Sequence, residues 1–344
     1  MLPASDVRRL LIIKPSSLGD IVHAMPVLDL LRRHFASAHI SWLVKREWAG
    51  LVERIEGVDA VVTVGLGVGG WLGAVPRLRA ARFDLAVDLQ GLFRSAAMAW
   101  LSGARRRIGF ANAREGSPWF YSRRVAVPMV DMHAVDRYLL VTDDLGIERR
   151  AAPAFRFKSI LADEEAIESL LERAGIKHRT RWIAMNVGAR WPTKRWPVES
   201  FGELVKQLER GGLGPVVLFG GPGDLEAAQG LCRTTERPPV NLVGQTGLGL
   251  LPPLLRRATV LITNDSGPMH IAAAVGTPVV ALFGPTNPMR TGPYGNMHRV
   301  LRTGVPCSPC FSRRCANPNQ LECLTSIAVP DVLNAVQQAL SAER

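Results

Sequence analysis

Arg9-Leu-Leu-Ile-Ile-Lys-Pro-Ser-Ser-Leu-Gly-Asp20 runs from a short apolar block into a polar loop. The block Leu10–Ile13 is too short for the core of a signal peptide and predicts a first β-strand instead. Gly19 permits a sharp turn, and Asp20 stands where the N-cap of a helix over Ile21–Phe35 is expected. Strand, polar loop and helix in this order are typical of an α/β protein with a parallel sheet.

The alternation of short apolar runs and amphipathic stretches continues along the chain and restarts near its middle. In the first half it predicts strands near Arg9–Lys14, His39–Lys45, Ala60–Val64, Leu85–Asp88 and Arg106–Phe110. It also predicts helices near Ile21–Phe35, Trp48–Glu56, Trp71–Ala80, Phe93–Leu101 and His133–Leu145. In the second half it predicts strands near Trp182–Val187, Pro215–Phe219, Asn241–Val243, Thr259–Thr263 and Pro278–Phe283. This pattern predicts two α/β units.

The segment Gly146–Lys158 reads as a linker, because it holds Arg149, Arg150 and Pro153 between the two patterns. We therefore predict domains at 1–150 and 151–344, the second including a Cys-rich loop at 307–323 and a C-terminal helix. A length of 344 residues fits two domains of roughly 100–200 residues each.

Composition indicates a globular protein with an anionic partner. Hydrophobic residues make up 47% and charged residues 21%, and the net charge is +12. Nucleic acid, an anionic membrane surface and a phosphorylated substrate would each fit this charge. No apolar run approaches the ~20 residues that span a bilayer, and we expect a cytoplasmic protein.

Two loops of the second half suit a phosphorylated ligand. In Asn186–Pro197, Gly188 allows close backbone approach, and Arg190 and Lys194 supply cations. In Asn264–His270, Ser266 is a good N-cap for a helix near Met269–Val275, whose free N–H groups suit phosphate. A solvated basic loop and an ordinary helix start are the alternatives.

Two aspartates have both a structural and a functional interpretation. Asp20 either caps a helix or accepts a proton from a hydroxyl of an acceptor, with His23 one turn away. Asp224, in Phe219-Gly-Gly-Pro-Gly-Asp224, either caps a helix or binds ribose hydroxyls.

Two further patterns suggest other chemistry. Gly65-Leu-Gly-Val-Gly-Gly70 satisfies the dinucleotide fingerprint, with Asp84 and Asp88 downstream, but it follows the third strand rather than the first. Four cysteines are spaced C-x2-C-x4-C-x7-C, which predicts a reduced or zinc-holding structural knuckle. These candidate zinc ligands are Cys307, Cys310, Cys315 and Cys323.

Taken together, these segments resemble glycosyltransferase family 9, the lipopolysaccharide heptosyltransferases. The motifs that carry the resemblance are Lys14-Pro-Ser-Ser-Leu-Gly-Asp20, Asp88-Leu-Gln-Gly-Leu-Phe-Arg-Ser95, Arg106-Arg-Ile-Gly-Phe110, Phe219-Gly-Gly-Pro222, Asn264-Asp-Ser-Gly-Pro-Met-His270 and Phe283-Gly-Pro-Thr286. Cys307-Ser-Pro-Cys310 resembles the second-heptosyltransferase-like members. The resemblance implies a GT-B fold, in which two Rossmann-like domains face a central cleft.

The resemblance also implies roles for individual residues. Asp20 matches the general base of an inverting transfer. The donor, ADP-heptose, is expected to bind the second domain through Gly188, Arg190, Lys194, Asp224, Thr246, Asp265, Ser266, Gly267 and His270. The acceptor, Kdo-lipid A or a heptosylated core, is expected to bind the first domain through Ser17, Gly19, Arg94, Arg105 and Arg107.

No Asp-x-Asp pair occurs in the predicted donor loops, so we predict no catalytic metal and no required cofactor. The expected partners are ADP-heptose, an anionic glycolipid and the inner face of the inner membrane. Rival hypotheses are another GT-B sugar-nucleotide enzyme, such as an epimerase, a nicotinamide enzyme, and a nucleic-acid-binding protein. No nucleic-acid partner is expected, because aromatic residues are only 6% and no RNA- or DNA-binding motif is evident.

Overall fold

The computed structural model describes residues 3–128, 131–148, 152 and 154–341. The chain forms two compact units, Met1–Lys158 and Ser159–Arg344. The boundary therefore falls at Lys158 rather than at residue 150. Arg149, Arg150 and Pro153, on which the linker was predicted, lie outside the described residues.

Contacts with the helix that spans 25–34 explain why residues 154–158 belong to the first unit. The backbone N–H of Ala154 donates to the buried carboxylate of Asp29 at 3.0 Å, and the Arg156 guanidinium binds the same carboxylate at 3.2 Å. Phe157 then forms a β-bridge with Ile55. The predicted linker thus ends as a part of the first unit.

The first unit is a six-stranded parallel sheet covered by helices. Its strands are β1 Arg9–Ile13, β2 His39–Lys45, β3 Ala60–Val64, β4 Leu85–Asp88, β5 Arg106–Phe110 and β6 Arg123–Val125. Its helices are α1 Leu18–His23, α2 Met25–His34, α3 Ala49–Val52, α4 Gly67–Leu72, α5 Val75–Ala81, α6 Phe93–Leu101 and α7 Ala134–Asp144, with 3-10 turns at Ala4–Asp6, Arg46–Trp48 and Ser117–Phe120. The strand order is β3-β2-β1-β4-β5-β6.

The second unit repeats this architecture. Its strands are β7 Ile183–Asn186, β8 Val216–Leu218, β9 Val240–Asn241, β10 Val260–Asn264, β11 Val279–Leu282 and β12 Arg299–Leu301. Its helices are α8 Leu161–Arg173, α9 Val198–Arg210, α10 Leu225–Arg233, α11 Leu251–Arg257, α12 Gly267–Ala274, α13 Pro288–Thr291, α14 Glu322–Thr325 and α15 Val329–Ser341, with 3-10 turns at Pro192–Lys194, Pro222–Asp224 and Leu248–Leu250. The strand order is β12-β11-β10-β7-β8-β9.

The predicted α/β class is confirmed, and the interior strands lie where the apolar runs placed them. Two edge strands, β6 and β12, were missed because each has only three residues and at most one of them is buried. The helix predicted over Ile21–Phe35 is two helices, with the break at Ala24. Pro26 explains the break, since it lacks an N–H and fits only the first turn of a new helix.

Both sheets are buried on their two faces, which is why their strands read as continuous apolar runs. Residues of α9 and α15 belong to the core of the second unit, and Trp196 packs edge-on against Phe201 of α9. The indole N–H of Trp196 donates to the carbonyl of Ile327 at 3.2 Å, so the C-terminal segment is fixed to the loop after β7.

The strand order places one crevice in each unit. The chain moves outward in one direction from β1 and in the other from β4, and these two strands are neighbours. The same reversal occurs between β7 and β10. Loops that follow such central strands diverge and leave a crevice at the carboxyl edge of the sheet, where ligands of doubly wound folds bind.

Across the described residues, no helix combines the length and the apolar character that crossing a membrane would require.

Gly109 on β5 is predicted to be required by the ring of Tyr121. A Cβ atom at Gly109 would lie 2.3 Å from the ring carbon Cζ of Tyr121, so Gly109→Ala forces the ring and its strand to move. We expect a loss of about 2 kcal/mol in the free energy of unfolding, measured with urea. Gly69→Ala is the control, because a Cβ at Gly69 meets no atom within 4 Å. Equal stability of the two variants would contradict this packing.

Candidate active site

Asp20 lies in the first turn of α1, in the crevice between β1 and β4. The helix begins at Leu18 with Ser17 as its N-cap, so the prediction that Asp20 is the N-cap was wrong. Its Oδ2 accepts hydrogen bonds from the Ser17 backbone N–H at 3.0 Å and from the Ser17 hydroxyl at 2.7 Å. This is the carboxylate half of a capping box. The structural interpretation therefore holds for one oxygen and leaves the other for further contacts.

The second oxygen of Asp20 faces two groups that the sequence reasoning had not assigned. The hydroxyl of Tyr138, on α7, donates to Oδ1 at 3.2 Å. The ammonium of Lys14 lies 3.9 Å from the same oxygen and donates to the carbonyl of Leu89 at 3.1 Å. The Lys14 side chain is 3% exposed and that of Asp20 is 35% exposed. Solvent or a substrate thus reaches Asp20 but not its cation.

These contacts decide the charge of Asp20. Burial raises the pKa of its carboxyl, but the Lys14 ammonium and the Ser17 hydrogen bonds outweigh this and hold the pKa well below its usual range. Burial lowers the pKa of Lys14, and the nearby Asp20 and Asp88 carboxylates partly oppose that shift. Asp20 is therefore an ionised carboxylate in an accessible crevice.

The other residues predicted beside Asp20, namely Ser17, Gly19 and His23, make contacts within the first unit or are buried in it. Gly19 is the second residue of α1 and is buried, so it does not form the predicted turn. Ser17 is partly exposed, but both its N–H and its hydroxyl bind Asp20. The buried ring of His23 lies 5.2 Å from the ring of His133.

Asp88 ends β4 in the same crevice but is wholly buried. Its carboxylate accepts from the hydroxyls of Ser95 at 2.8 Å and Tyr121 at 2.7 Å, and from the N–H groups of Gln90 and Gly91. Burial raises its pKa, against the lowering by these hydrogen bonds. Asp88 therefore holds the loop between β4 and α6 in place and is not available to a ribose.

The three predicted acceptor arginines are not brought together. Arg94 is exposed on α6, at the carboxyl edge of the sheet, with its guanidinium 5.5 Å from the Trp71 ring centre. Arg105 and Arg107 lie at the amino end of β5, which is the opposite edge from Asp20. The Arg107 guanidinium donates to the carbonyls of Phe120 and Ala104 and thereby ties the chain around β5 together. Only Arg94 lies on the Asp20 edge.

In the second unit, Gly188 and Asp224 meet where β7 and β8 end. A Cβ atom at Gly188 would lie 2.1 Å from Oδ1 of Asp224, and one at Gly220 would lie 2.7 Å from Oδ2. The two glycines thus make room for one carboxylate. Asp224 also accepts from the N–H of Gly221 at 3.0 Å, so it caps its own 3-10 turn and remains half-exposed.

Lys194 is paired with Asp265 rather than free. Its ammonium lies 2.6 Å from Oδ2 of Asp265, and the Thr286 hydroxyl donates to the same oxygen at 2.6 Å. The pair joins the loops after β7 and β10 at the carboxyl edge, and Thr286 adds the loop after β11. The Lys194 ammonium also lies 4.7 Å from the centre of the Trp191 ring, where it keeps partial exposure.

Helix α12 starts at the crevice between β7 and β10, with Ser266 at the predicted N-cap position. The Ser266 hydroxyl bonds to Thr263 at 3.0 Å and Asn186 at 3.3 Å instead of capping the helix. The first-turn N–H groups of Gly267 and Met269 have no carbonyl partner within the helix and suit an anion. His270 is buried in the second turn.

The buried side chain of Asn264 holds the loop after β7 against β10. Its amide donates to the carbonyls of Val187 and Gly188, and its oxygen accepts from the N–H of Trp196 at 2.9 Å. Sequence reasoning had placed Asn264 in a motif but gave it no role. These hydrogen bonds of the Asn264 amide set the position of Gly188.

The remaining donor candidates follow the ends of β7 and β9. Arg190 is exposed in the loop after β7. Thr246 follows β9, and its buried hydroxyl has no hydrogen-bond partner among the described residues. Arg313 was missed by sequence reasoning, yet its guanidinium lies 5.2 Å from the centre of the Trp191 ring that also contacts Lys194. Arg313 is far from Trp191 along the chain, so no local sequence pattern indicated this contact.

The glycines at 65–70 have a structural explanation. They follow β3, which is the edge strand of the first sheet and not a central one. The N–H of Gly65 donates to the carbonyl of Gly70, and a Cβ at Gly70 would lie 2.6 Å from the carbonyl carbon of Gly65. The loop closes on itself, and Asp84 binds the N–H groups of Arg8 and Arg9. This geometry contradicts a nicotinamide site.

The four clustered cysteines are free thiols in a segment fixed to the loops after β7 and β11. The Thr193 hydroxyl donates to the carbonyl of Ser312, and the Ser308 hydroxyl donates to that of Gly284. Burial raises the pKa of the Cys323 thiol, and the other three cysteines raise it further. Within the described part of the chain, no three His, Cys, Asp or Glu side chains are grouped as metal ligands. The zinc site stays a prediction.

Comparison with known proteins agrees with this geometry. Residues 73–321 match the model of the family described as glycosyltransferase family 9 (heptosyltransferase). The chain belongs to glycosyltransferase family 9. It is 30% identical over 311 residues to lipopolysaccharide heptosyltransferase 2 of Escherichia coli K12, covering 86% of this chain and 88% of that one.

Solved structures of other glycosyltransferases share the fold. A family 9 glycosyltransferase from Veillonella parvula has a TM-score of 0.85 and 26% identity, and the match covers 97% of each chain. The E. coli heptosyltransferase WaaC, solved with ADP-2-deoxy-2-fluoro heptose, has a TM-score of 0.70 and 24% identity over 98% of this chain and 100% of that one. Family membership makes this chain a glycosyltransferase.

The ion pair between Lys194 and Asp265 predicts strong coupling between these residues. Lys194→Gln leaves the Asp265 carboxylate, which is 6% exposed, without its cation. We expect a loss of about 3 kcal/mol in the free energy of unfolding, measured with urea, and partial recovery in the double variant with Asp265→Asn. Lys206→Gln is the control, as no ion pair of Lys206 occurs among the described residues. Additive losses would show that the pair is not a unit.

Proposed function

We propose that this family 9 enzyme transfers heptose from ADP-heptose, with inversion, to a hydroxyl of the lipopolysaccharide inner core. The acceptor is Kdo-lipid A or an already heptosylated core. The observation that carries the proposal is the accessible carboxylate of Asp20 in the crevice of the first unit, 3.9 Å from the ammonium of Lys14. A carboxylate at this position accepts the proton of an acceptor hydroxyl as that oxygen attacks the anomeric carbon of the donor.

The donor assignment is supported by relatives and by the chemistry of the second unit. The relative from E. coli K12 is a lipopolysaccharide heptosyltransferase, and WaaC was solved with an ADP-heptose analogue. In this chain, the loops after β7, β8, β10 and β11 combine cations, a half-exposed carboxylate and a helix start. We assign the diphosphate to the first turn of α12, and the ribose hydroxyls to Asp224.

The charge of the leaving ADP has to be matched by groups of the second unit. Lys194 alone does not supply a net charge, because Asp265 already neutralises it at 2.6 Å. The net positive contributions come from the helix start of α12, the exposed Arg190 and Arg313 beside Trp191. Lys194 instead positions the loops, and it donates to a phosphate oxygen through the hydrogens that Asp265 leaves free. No step of this proposal uses a metal ion.

The acceptor belongs to the first unit in this proposal. An inner-core glycolipid carries carboxylates and phosphates, and Arg94 is the predicted arginine that lies on the Asp20 edge. Tyr138 holds the catalytic carboxylate through its hydroxyl, and Lys14 keeps that carboxylate ionised. Ser17 orients Asp20 rather than the acceptor. Because the acceptor is a glycolipid, we place the enzyme at the cytoplasmic surface of the inner membrane.

The proposal predicts that Asp20→Asn removes the base without removing the donor site. We expect the rate constant of transfer to fall about 10²–10⁴-fold, while the affinity for ADP-heptose measured by calorimetry stays unchanged. Glu47→Gln is the matched control, because Glu47 is an exposed carboxylate just after β2 at the same edge of the sheet. A variant with nearly full transfer rate would remove Asp20 from the mechanism.

Lys14→Gln tests how Asp20 is kept ionised, in the same assay. Losing the ammonium raises the pKa of Asp20, so the base becomes protonated at a higher pH than in the wild-type enzyme. The acidic limb of kcat/KM should therefore move to higher pH. Lys45→Gln is the control, because Lys45 lies at the end of the neighbouring strand and is near Glu47 instead. An unmoved acidic limb would contradict the electrostatic role of Lys14.

A further inference from the structure

The exposed large apolar side chains of the first unit are gathered on one part of its surface. Leu66, Val68 and Leu72 lie on or beside α4, Phe93 and Trp100 on α6, and Trp119 in the 3-10 turn at 117–120. No other large apolar side chain among the described residues of this unit is exposed. Leu66, Val68 and Trp119 are 89%, 76% and 85% exposed. Three side chains with such large exposed fractions contribute little to packing within the unit.

Contacts between side chains join these elements into one surface. Phe93 and Trp100 are seven residues apart on α6 and both pack edge-on against Phe120, at 5.5 and 6.5 Å between ring centres. The guanidinium of Arg94 lies over the ring of Trp71 and connects α6 with α4. We call the surface made by the exposed side chains of residues 66–72, 93–100 and 117–124 the aromatic–arginine face.

The stretch of chain that contains the aromatic–arginine face is strongly positive. Residues 65–125 hold ten arginines and three acidic residues, so this segment carries +7 of the chain's +12. Nine of the ten arginines are exposed, and three of the ten, Arg94, Arg123 and Arg124, lie within the aromatic–arginine face itself. Of these three, Arg123 is paired with Asp144 at 2.6 Å. Of the acids, Asp88 is wholly buried, Asp84 binds backbone N–H groups, and the exposed Glu115 accepts from the N–H of Phe93 at 3.2 Å. The Arg124 guanidinium lies 5.8 Å from the ring centre of Trp119, so a cation stands beside the most prominent aromatic side chain.

We infer that the aromatic–arginine face docks on the surface of an anionic lipid bilayer. Open tryptophan and leucine tips insert among the headgroups, while arginines around them bind lipid phosphates. A protein partner would need a complementary acidic surface, whereas a bilayer of anionic lipids supplies the charge at every orientation. The choice of a membrane also rests on the proposed glycolipid acceptor, which is itself anchored in a bilayer.

The position of the face suits delivery of such an acceptor. Leu66 and Val68 follow the carboxyl end of β3, and Phe93 follows the loop that ends β4. Asp20 follows the carboxyl end of β1, which is the neighbour of β4. Parallel strands end at the same edge, so the part of the face formed by Leu66, Val68 and Phe93 lies at the same edge of this sheet as the proposed base. A bilayer bound there holds the sugar of a glycolipid near Asp20.

Flotation with lipid vesicles tests the inference. The wild-type protein should bind vesicles of phosphatidylcholine with phosphatidylglycerol, bind pure phosphatidylcholine much more weakly, and lose affinity as salt rises. The variant Leu66→Ser/Val68→Ser/Trp119→Ser should bind the anionic vesicles at least about tenfold more weakly. Trp119→Ser alone, with a smaller loss, keeps the test valid should the triple variant fail to fold.

The matched control is Leu161→Ser/Met289→Ser, which removes side chains of the second unit that are 73% and 69% exposed. It should bind vesicles like the wild type. Equal binding by the triple variant would overturn the inference. The inference would also be overturned if sedimentation equilibrium without vesicles found the wild-type protein dimeric and the triple variant monomeric.

The same variants separate this inference from the proposed function. Transfer to a delipidated, soluble core acceptor should be unchanged in the triple variant, because none of its three positions lies in the proposed site. Intact vesicle binding without any transfer by the wild type would overturn the proposed function and leave the membrane surface standing. Intact transfer to the soluble acceptor, combined with unimpaired vesicle binding by the variants, would overturn the membrane surface and leave the proposed function standing.

Discussion

A buried ammonium beside a half-exposed carboxylate underlies the chemistry that the first unit can perform. Lys14 directly follows β1, donates to the Leu89 carbonyl and lies 3.9 Å from Asp20. Burying a lysine is unfavourable unless charge and hydrogen bonds compensate. The neighbouring strands β1 and β4 provide both, since Ile13 pairs with Asp88 and the chain continues into Leu89. The arrangement keeps Asp20 charged where an unpaired, partly buried carboxyl would tend to protonate.

The second unit uses amides and a neutral ion pair at the equivalent crevice. Asn264 fixes the loop after β7 through three hydrogen bonds, and Asn186 bonds to Ser266 and to the carbonyl of Phe219. Lys194 and Asp265 cancel each other's charge. A diphosphate would therefore meet oriented N–H groups in a site that is already organised, rather than an unpaired cation. The proposed donor site is therefore pre-formed, and its affinity would depend on backbone geometry as much as on side-chain charge.

The sequence pattern predicted the interior of both sheets well because interior parallel strands are buried on both faces and must be apolar. It missed β6 and β12, whose short edge sequences Arg123–Val125 and Arg299–Leu301 carry little burial signal. It found Asp20 but not Tyr138, since a hydroxyl that arrives from more than a hundred residues away leaves no local pattern. Arg107 shows the opposite error. A run of arginines suggests an anion site, yet backbone carbonyls occupy this guanidinium.

The stereochemistry of a completed reaction tests the central claim most directly. The purified enzyme would be incubated with ADP-heptose and a soluble inner-core acceptor, and the anomeric configuration of the transferred heptose determined by NMR. Direct displacement with Asp20 as base predicts a single product whose configuration is opposite to that of the donor. Retained configuration, or transfer from UDP- or GDP-sugars but not from ADP-heptose, would contradict the account.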